Sequence, residues 1–224
     1  MSEPIRLAVF DCDGTLVDSQ HSIIGAMHGA FDAASIPRAD DNAIRRVVGL
    51  PLLDAIARLA PGTSEPDLRQ LKEGYSIAWQ AMRQSGGLDE PLYPGTIDVL
   101  RDLQAAGWVL GVATGKSHRG LVGTLENHDV LRRFTTLQTA DRAQGKPHPE
   151  MLLKAMDETG AAAENTVMIG DTTFDMEMAC GAGVVAIGVA WGYHETDELE
   201  RAGAVRVIGD FGELPGILKN LSED

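Results

Sequence analysis

Cysteine is scarce. Cys12 and Cys180 are the two in 224 residues, they form no CxxC pair, and they sit at no metal-ligand spacing. A disulfide scaffold is therefore unsupported, both thiols are expected to be buried, and a reducing compartment is expected. Basic residues are few as well: Lys and Arg number 19 against 33 Asp and Glu, a formal net charge of −14. No local basic patch interrupts that field, which repels nucleic acid and anionic lipid. Long apolar runs are missing too. The most apolar later stretch, 181–191, falls well short of the roughly 20 residues of a membrane-spanning helix. The opening MSEPIRLAVF carries an acid at Glu3 and only a short apolar run, unlike a secretory signal. The expectation is a cytoplasmic protein with no nucleic-acid or membrane partner and with its oligomeric state open.

What is present is ordinary for a soluble globular chain: 44% hydrophobic and 23% charged residues, without internal repeats or low-complexity tracts. Disorder, collagen and coiled coil are excluded. At this length one large domain, or one domain carrying an insertion, buries roughly 70% of the surface its unfolded chain would expose.

Apolar runs bounded by turn residues recur at 5–10, 108–113, 166–169, 184–189 and 205–208, with a weaker one at 134–137. Those without alternation predict strands buried on both faces. Helical periods lie between them at 96–106, 120–128, 150–159 and 175–180. Strand–helix–strand order with both faces covered implies a parallel, doubly wound α/β sheet. From 18 to 89 the alternation breaks, and only helical patterns occur, at 22–34, 42–48, 52–59 and 67–83. Ile23, Ile24, Met27, Ala30, Phe31 and Ala34 form one apolar stripe on the leading helix. The predicted organisation is a Rossmann-like core over 1–17 and 90–224, with an all-helical domain, 18–89, inserted after the first strand.

The densest chemical signal is Asp11-Cys12-Asp13-Gly14-Thr15-Leu16, at the end of the first apolar run. Side chains alternate along a strand, so Asp11 and Asp13 can share one side while Cys12 turns into the core. Two such carboxylates repel unless a cation neutralises them. A second acidic cluster, Gly170-Asp171-Thr172-Thr173-Phe174-Asp175, follows the strand at 166–169. Either cluster alone reads best as a helix cap. Both together, at the carboxyl edge where parallel sheets bind ligands, predict that Asp11, Asp13, Asp171 and Asp175 converge into an all-oxygen site suited to Mg²⁺. A phosphate substrate needs further positive charge, which Lys146 in Gly145-Lys146-Pro147-His148-Pro149 can supply. Thr114, in Val112-Ala113-Thr114-Gly115-Lys116-Ser117, offers a hydroxyl beside the free amides of a helix start, with Ser117 as candidate cap.

Together, Asp11-Cys12-Asp13-Gly14-Thr15, Thr114, Lys146 and Gly170-Asp171 with Asp175 resemble, in order and across nearly the whole chain, the four motifs of the haloacid dehalogenase superfamily of phosphohydrolases. The helical insertion resembles the cap of its first subfamily. Val48-Gly49-Leu50-Pro51-Leu52, Gly145-Lys146-Pro147-His148-Pro149 and Trp191-Gly192-Tyr193 are similar to phosphoglycolate phosphatase-like members. The resemblance implies that Asp11 attacks phosphorus and forms an aspartyl-phosphate, while Asp13 protonates the leaving alcohol and later takes a proton from water. It implies Mg²⁺ held by Asp11, the backbone carbonyl of Asp13, Asp171 and Asp175, and phosphate oxygens held by Thr114, the Gly115 amide and Lys146. The partner implied is a small phosphorylated metabolite. Two points depart from or qualify the pattern. Gly115 stands where many members have Asn, leaving only an amide there. Arg46, three residues before Gly49, is similar to an arginine that recognises the substrate's distal group in some relatives, and its neighbour Arg45 is an equal candidate.

Two strings mislead. Gly111–Ser117 would need a glycine at Leu110 to make a nucleotide-binding phosphate loop, and Gly181-Ala182-Gly183-Val184-Val185-Ala186 follows a helix instead of a strand, so its glycines predict a helix stop. A phosphomutase of the same superfamily, and a catalytically silent binding module on this scaffold, stand as alternatives. A dehalogenase is disfavoured because such members lack the acid that Asp13 provides.

Overall fold

The six apolar runs correspond to six parallel strands, the inner ones buried on both faces and the edge strand at 206–208 partly exposed. The computed structural model describes residues 4–221, so Met1–Glu3, on which the reading of the amino terminus partly rests, lie outside it. In chain order the elements are β1 (Arg6–Phe10), α1 (Gln20–Ala33), α2 (Asp41–Arg45), α3 (Leu52–Leu59), α4 (Glu65–Ser85), α5 (Thr96–Ala105), β2 (Trp108–Thr114), α6 (His118–Asn127), β3 (Thr136–Thr139), α7 (Glu150–Thr159), β4 (Thr166–Gly170), α8 (Thr173–Ala182), β5 (Val185–Val189), α9 (Thr196–Arg201), β6 (Arg206–Ile208) and α10 (Leu214–Leu221). The sheet runs β3-β2-β1-β4-β5-β6, parallel throughout. The chain winds outward from β1 to β3 and then returns to start again at β4. That reversal puts a crevice beyond the carboxyl ends of β1 and β4.

Alternation along β1 builds two apolar layers. Ala8 and Phe10 join Val112, Ile169 and Leu100 on one face of the sheet, while Leu7 and Val9 join Met168, Ala186 and Met151 on the other. The insert between β1 and α5 has its own core: Ile23, Met27, Ala30 and Phe31 of α1 pack with Ile44, Ile56 and Leu71. Ser64 caps α4 by accepting the Asp67 amide and Pro66 occupies its first turn, so this helix starts two residues before the periodic pattern does. Ser117 caps α6 as expected, accepting from the Gly120 amide.

Two expectations about these elements need correction, and two helices go beyond what was expected. β3 lies two residues beyond its apolar signal, because Phe134, the first residue of that run, closes the 3₁₀ turn at Leu131–Arg133 by donating its amide to the Leu131 carbonyl. The short helices α9 and α10 carried no reading at all. Cys180 is exposed, not buried: on α8 it shares the outward side with Glu177, while Met176 and Ala179 face the core.

Candidate active site

The aspartates, Thr114, Gly115 and Lys146 of the predicted site lie at the carboxyl edge of the sheet. Asp11 follows β1, and its amide extends the ladder by donating to the Ile169 carbonyl of β4 at 2.8 Å. Its Oδ1 accepts the Cys12 amide at 2.6 Å, and the Cys12 side chain drops into the core. The chain then turns at Gly14, where φ is +84° and an added Cβ would stand 2.2 Å from Asp171 Oδ2, so only glycine fits. That close approach fixes Asp171 beside the first strand. Thr15 Oγ1 donates to its Oδ1 at 2.8 Å, and the Tyr193 amide donates to its Oδ2 at 2.9 Å. Asp175, in the first turn of α8, has its Oδ2 held by the Thr172 amide at 3.0 Å and the Thr172 hydroxyl at 2.7 Å.

Asp11, Asp171 and Asp175 are buried, and each offers a carboxylate oxygen within 4.8 Å of the other two. Lys146, with no side-chain exposure, stands 2.8 Å from Asp11 Oδ1 and 2.6 Å from Asp175 Oδ1. Those contacts are ion pairs without directed hydrogen-bond geometry, and Asp11 Oδ2 is left buried with no hydrogen-bond partner. One ammonium does not balance three carboxylates. Burial pushes the Asp11 carboxyl up to about 7, with Lys146 opposing and the Asp175 charge adding, and burial followed by the Asp11 and Asp175 charges drives Asp171 well above the carboxylate range. Burial alone would lower the Lys146 ammonium, but the two carboxylates hold it above its ordinary value. An orphaned buried oxygen inside a cluster of hard donors with excess negative charge fits a metal ion.

The fourth aspartate departs from the expected convergence. The Asp13 carboxylate turns away from the other three, and its Oδ1 meets Lys116 Nζ at 2.8 Å and the Ser19 hydroxyl at 2.5 Å. Two residues of extended chain put both aspartates on one side, but the turn at Gly14 and the pull of Lys116 separate their carboxylates. Sequence reasoning passed over Lys116 and Ser19. The available signal for Lys116 was its position two residues after Thr114, on the same rim.

Thr114 is buried at the end of β2, with its Oγ1 accepting the Lys116 amide at 3.3 Å. Gly115 follows, and an added Cβ there would stand 2.6 Å from the Leu50 carbonyl oxygen and 2.8 Å from that of Gly49. The segment of the helical insert between α2 and α3 is therefore seated directly on the core loop, which accounts for the missing side chain. A cavity of about 550 Å³ opens between the two parts, with Asp11, Asp13 and Thr114 at its floor and Leu52, Tyr75 and Trp79 of the insert in its wall.

Neither arginine proposed for substrate lines that cavity. Arg45 Nε donates to Gln20 Oε1 at 3.1 Å, and Arg46 makes two hydrogen bonds to Glu198 of α9. Beside Arg46 lies His194, whose burial holds its pKa below the ordinary value. Its Nδ1 accepts the Thr173 amide at 3.1 Å, which leaves Nε2 as the protonated nitrogen facing the Arg46 carbonyl at 3.3 Å.

Comparison with known proteins agrees with this geometry. The family model described as haloacid dehalogenase-like hydrolase matches residues 8–189. A Dickeya dadantii (strain 3937) protein named "Probable phosphatase IndB" is 39% identical over 94% of this chain and 92% of its own length. A phosphoglycolate phosphatase of Agrobacterium fabrum is 30% identical over 98% of this chain and 96% of its own. Among solved structures, a hydrolase from Pseudomonas syringae superposes with a TM-score of 0.84 at 26% identity, covering 96% of this chain and 98% of that one.

Proposed function

Since this chain belongs to the haloacid dehalogenase-like hydrolases, we propose that it is a Mg²⁺-dependent phosphatase that hydrolyses small phosphomonoesters through an aspartyl-phosphate on Asp11. The observation that carries the proposal is the buried meeting of Asp11, Asp171 and Asp175 around an excess of negative charge.

In this reading one carboxylate oxygen of Asp11 attacks phosphorus in line while the other is left for the metal. The P–O bond to the alcohol breaks with its electron pair going to the alcohol oxygen, which takes a proton from Asp13. Water then attacks the phosphorus of the aspartyl-phosphate, gives its proton to Asp13, and frees Asp11 and inorganic phosphate. Thr114 and the Gly115 amide hold phosphoryl oxygens by donating hydrogen bonds. Lys146 keeps Asp11 in place and adds its charge where negative charge gathers. Mg²⁺, held by Asp11, Asp171, Asp175 and the Asp13 backbone carbonyl, supplies charge neutralisation at the phosphoryl oxygens. Residues 18–89 act as a cap that excludes bulk water over the cavity. Relatives named phosphoglycolate phosphatase point to a small phosphorylated acid as substrate, and the cytoplasm is the compartment that suits it.

The test is release of phosphate from para-nitrophenyl phosphate with Mg²⁺. The reading requires turnover that chelator and Asp11→Asn each abolish. A protein inert towards a broad phosphoester panel, with Mg²⁺ present, would refute it.

A further inference from the structure

Lys116 has no part in the scheme above, although it is the cation closest to the group that handles protons. We propose that Lys116, seated by Trp79 and Glu90, is a positioning residue that holds the Asp13 carboxylate in the pose from which it serves the leaving alcohol. The proposal rests on the phosphatase reading.

The geometry is specific to one oxygen. Lys116 Nζ lies 2.8 Å from Asp13 Oδ1 and the Ser19 hydroxyl donates to that same atom at 2.5 Å, while Oδ2 has no hydrogen bond among the described residues. One oxygen is anchored twice, and the other is left for the leaving group. A lysine stem is flexible, so an ammonium reaching from an exposed loop would ordinarily range through solvent. Here its side chain is 11% exposed. Glu90 Oε1 lies 3.6 Å from Nζ, and the Trp79 ring centroid lies 4.9 Å from it, within cation–π range. Tyr75 stacks on the Trp79 ring, with centroids 5.8 Å apart and planes 24° from parallel.

Those contacts come from four separate pieces of chain. Asp13 follows β1, Lys116 follows β2, Trp79 and Tyr75 belong to α4 of the insert, and Glu90 lies where the chain returns from the insert to the core. The pose of the acid is thus tied to where the insert sits. Lys116 exchanges no proton in either half-reaction: the proton passes from Asp13 to the alcohol oxygen and returns from the attacking water, with the ammonium unchanged.

Leaving-group chemistry separates this role from others. The para-nitrophenolate group departs with little need of a proton, whereas ethanol departing from ethyl phosphate needs one, and neither leaving group carries a second, distal anionic group such as a carboxylate for Lys116 to bind. In single-turnover measurements of leaving-group release, which precede the water step that both esters share, Lys116→Met is expected to lower the rate for ethyl phosphate about 100-fold, the low end of what positioned acid–base groups contribute, and for para-nitrophenyl phosphate less than about threefold. Trp79→Leu should show the same selectivity at about tenfold, and Trp79→Phe, which keeps a ring beneath the ammonium, should recover most of that loss. Thermal melts of each variant verify folding, and if Lys116→Met does not fold the Trp79 pair decides the matter. Equal losses in the single-turnover release rate on both esters would overturn the proposal in favour of a general structural role. A defect confined to KM for phosphoglycolate would overturn it in favour of an anion subsite. A wild-type protein that hydrolyses neither ester defeats the phosphatase reading itself, and this proposal with it.

Discussion

Arg46 grips Glu198 with two hydrogen bonds, Nη1 to Oε2 at 2.5 Å and Nη2 to Oε1 at 2.8 Å, and so fastens the helical insert to α9 of the core. The bonds to Arg46, reinforced by the Glu195 amide, hold the Glu198 carboxyl at about 2. Because that value lies below the ordinary one, the pair contributes stability above about pH 4.5 and loses it as pH falls towards 2. Both side chains are partly exposed, 38% and 26%, so solvent screening keeps the contribution to about 0.5–1 kcal/mol. Urea unfolding of wild type and Glu198→Gln should differ by that amount at pH 7 and by less at pH 3.5. A gap that does not narrow would contradict the assignment.

Metal removal is expected to cost stability, because the Asp11, Asp171 and Asp175 carboxylates face one ammonium. At a Mg²⁺ concentration about 100 times Kd the folded state gains about 2.7 kcal/mol, a rise of roughly 5–10 °C in Tm for a chain of this size. Calorimetry with Mg²⁺ and with chelator measures it, and in Asp171→Asn the rise should shrink sharply. An unchanged rise in that variant would show the ion binding elsewhere.

Gly115→Ala should push the Gly49–Leu50 segment off the core loop, since the new methyl carbon would stand 2.6 Å from the Leu50 oxygen. Overpacking of this kind costs about 1–3 kcal/mol. The expected outcome is that loss in urea unfolding together with a fall in kcat/KM. An asparagine at this position should behave at least as badly, which is why the more usual residue is not accommodated here.

Most of the fold was legible because its signals are local. Both-sided burial made continuous apolar runs at β1, β2, β4 and β5, and helix starts such as Ser117 carry their own capping chemistry. The three converging carboxylates were legible because Asp11 and Asp171 each stand just past a strand end of one parallel sheet and Asp175 lies four residues on, in the first turn of the helix that follows. What stayed hidden depends on contacts between distant pieces of chain. The pairing of Asp13 with Lys116 joins the ends of β1 and β2 and follows from the turn at Gly14, which places the carboxylate without any periodic trace. Arg46 read as a substrate ligand because nothing in its neighbourhood reveals Glu198, 152 residues onward. The short helix α9 has too few residues for a period to show, and Cys180 was misjudged because residue type was weighed without its position on the outward side of α8.

The central claim is that the phosphoryl group passes through Asp11, and chemical trapping tests it most directly. The protein is mixed with para-nitrophenyl phosphate and Mg²⁺, quenched in acid during turnover, and reduced with tritiated borohydride, which converts a phosphorylated aspartate to labelled homoserine. Peptide mapping should then find the label at position 11. Rapid phosphate release with no label at that residue would contradict the account.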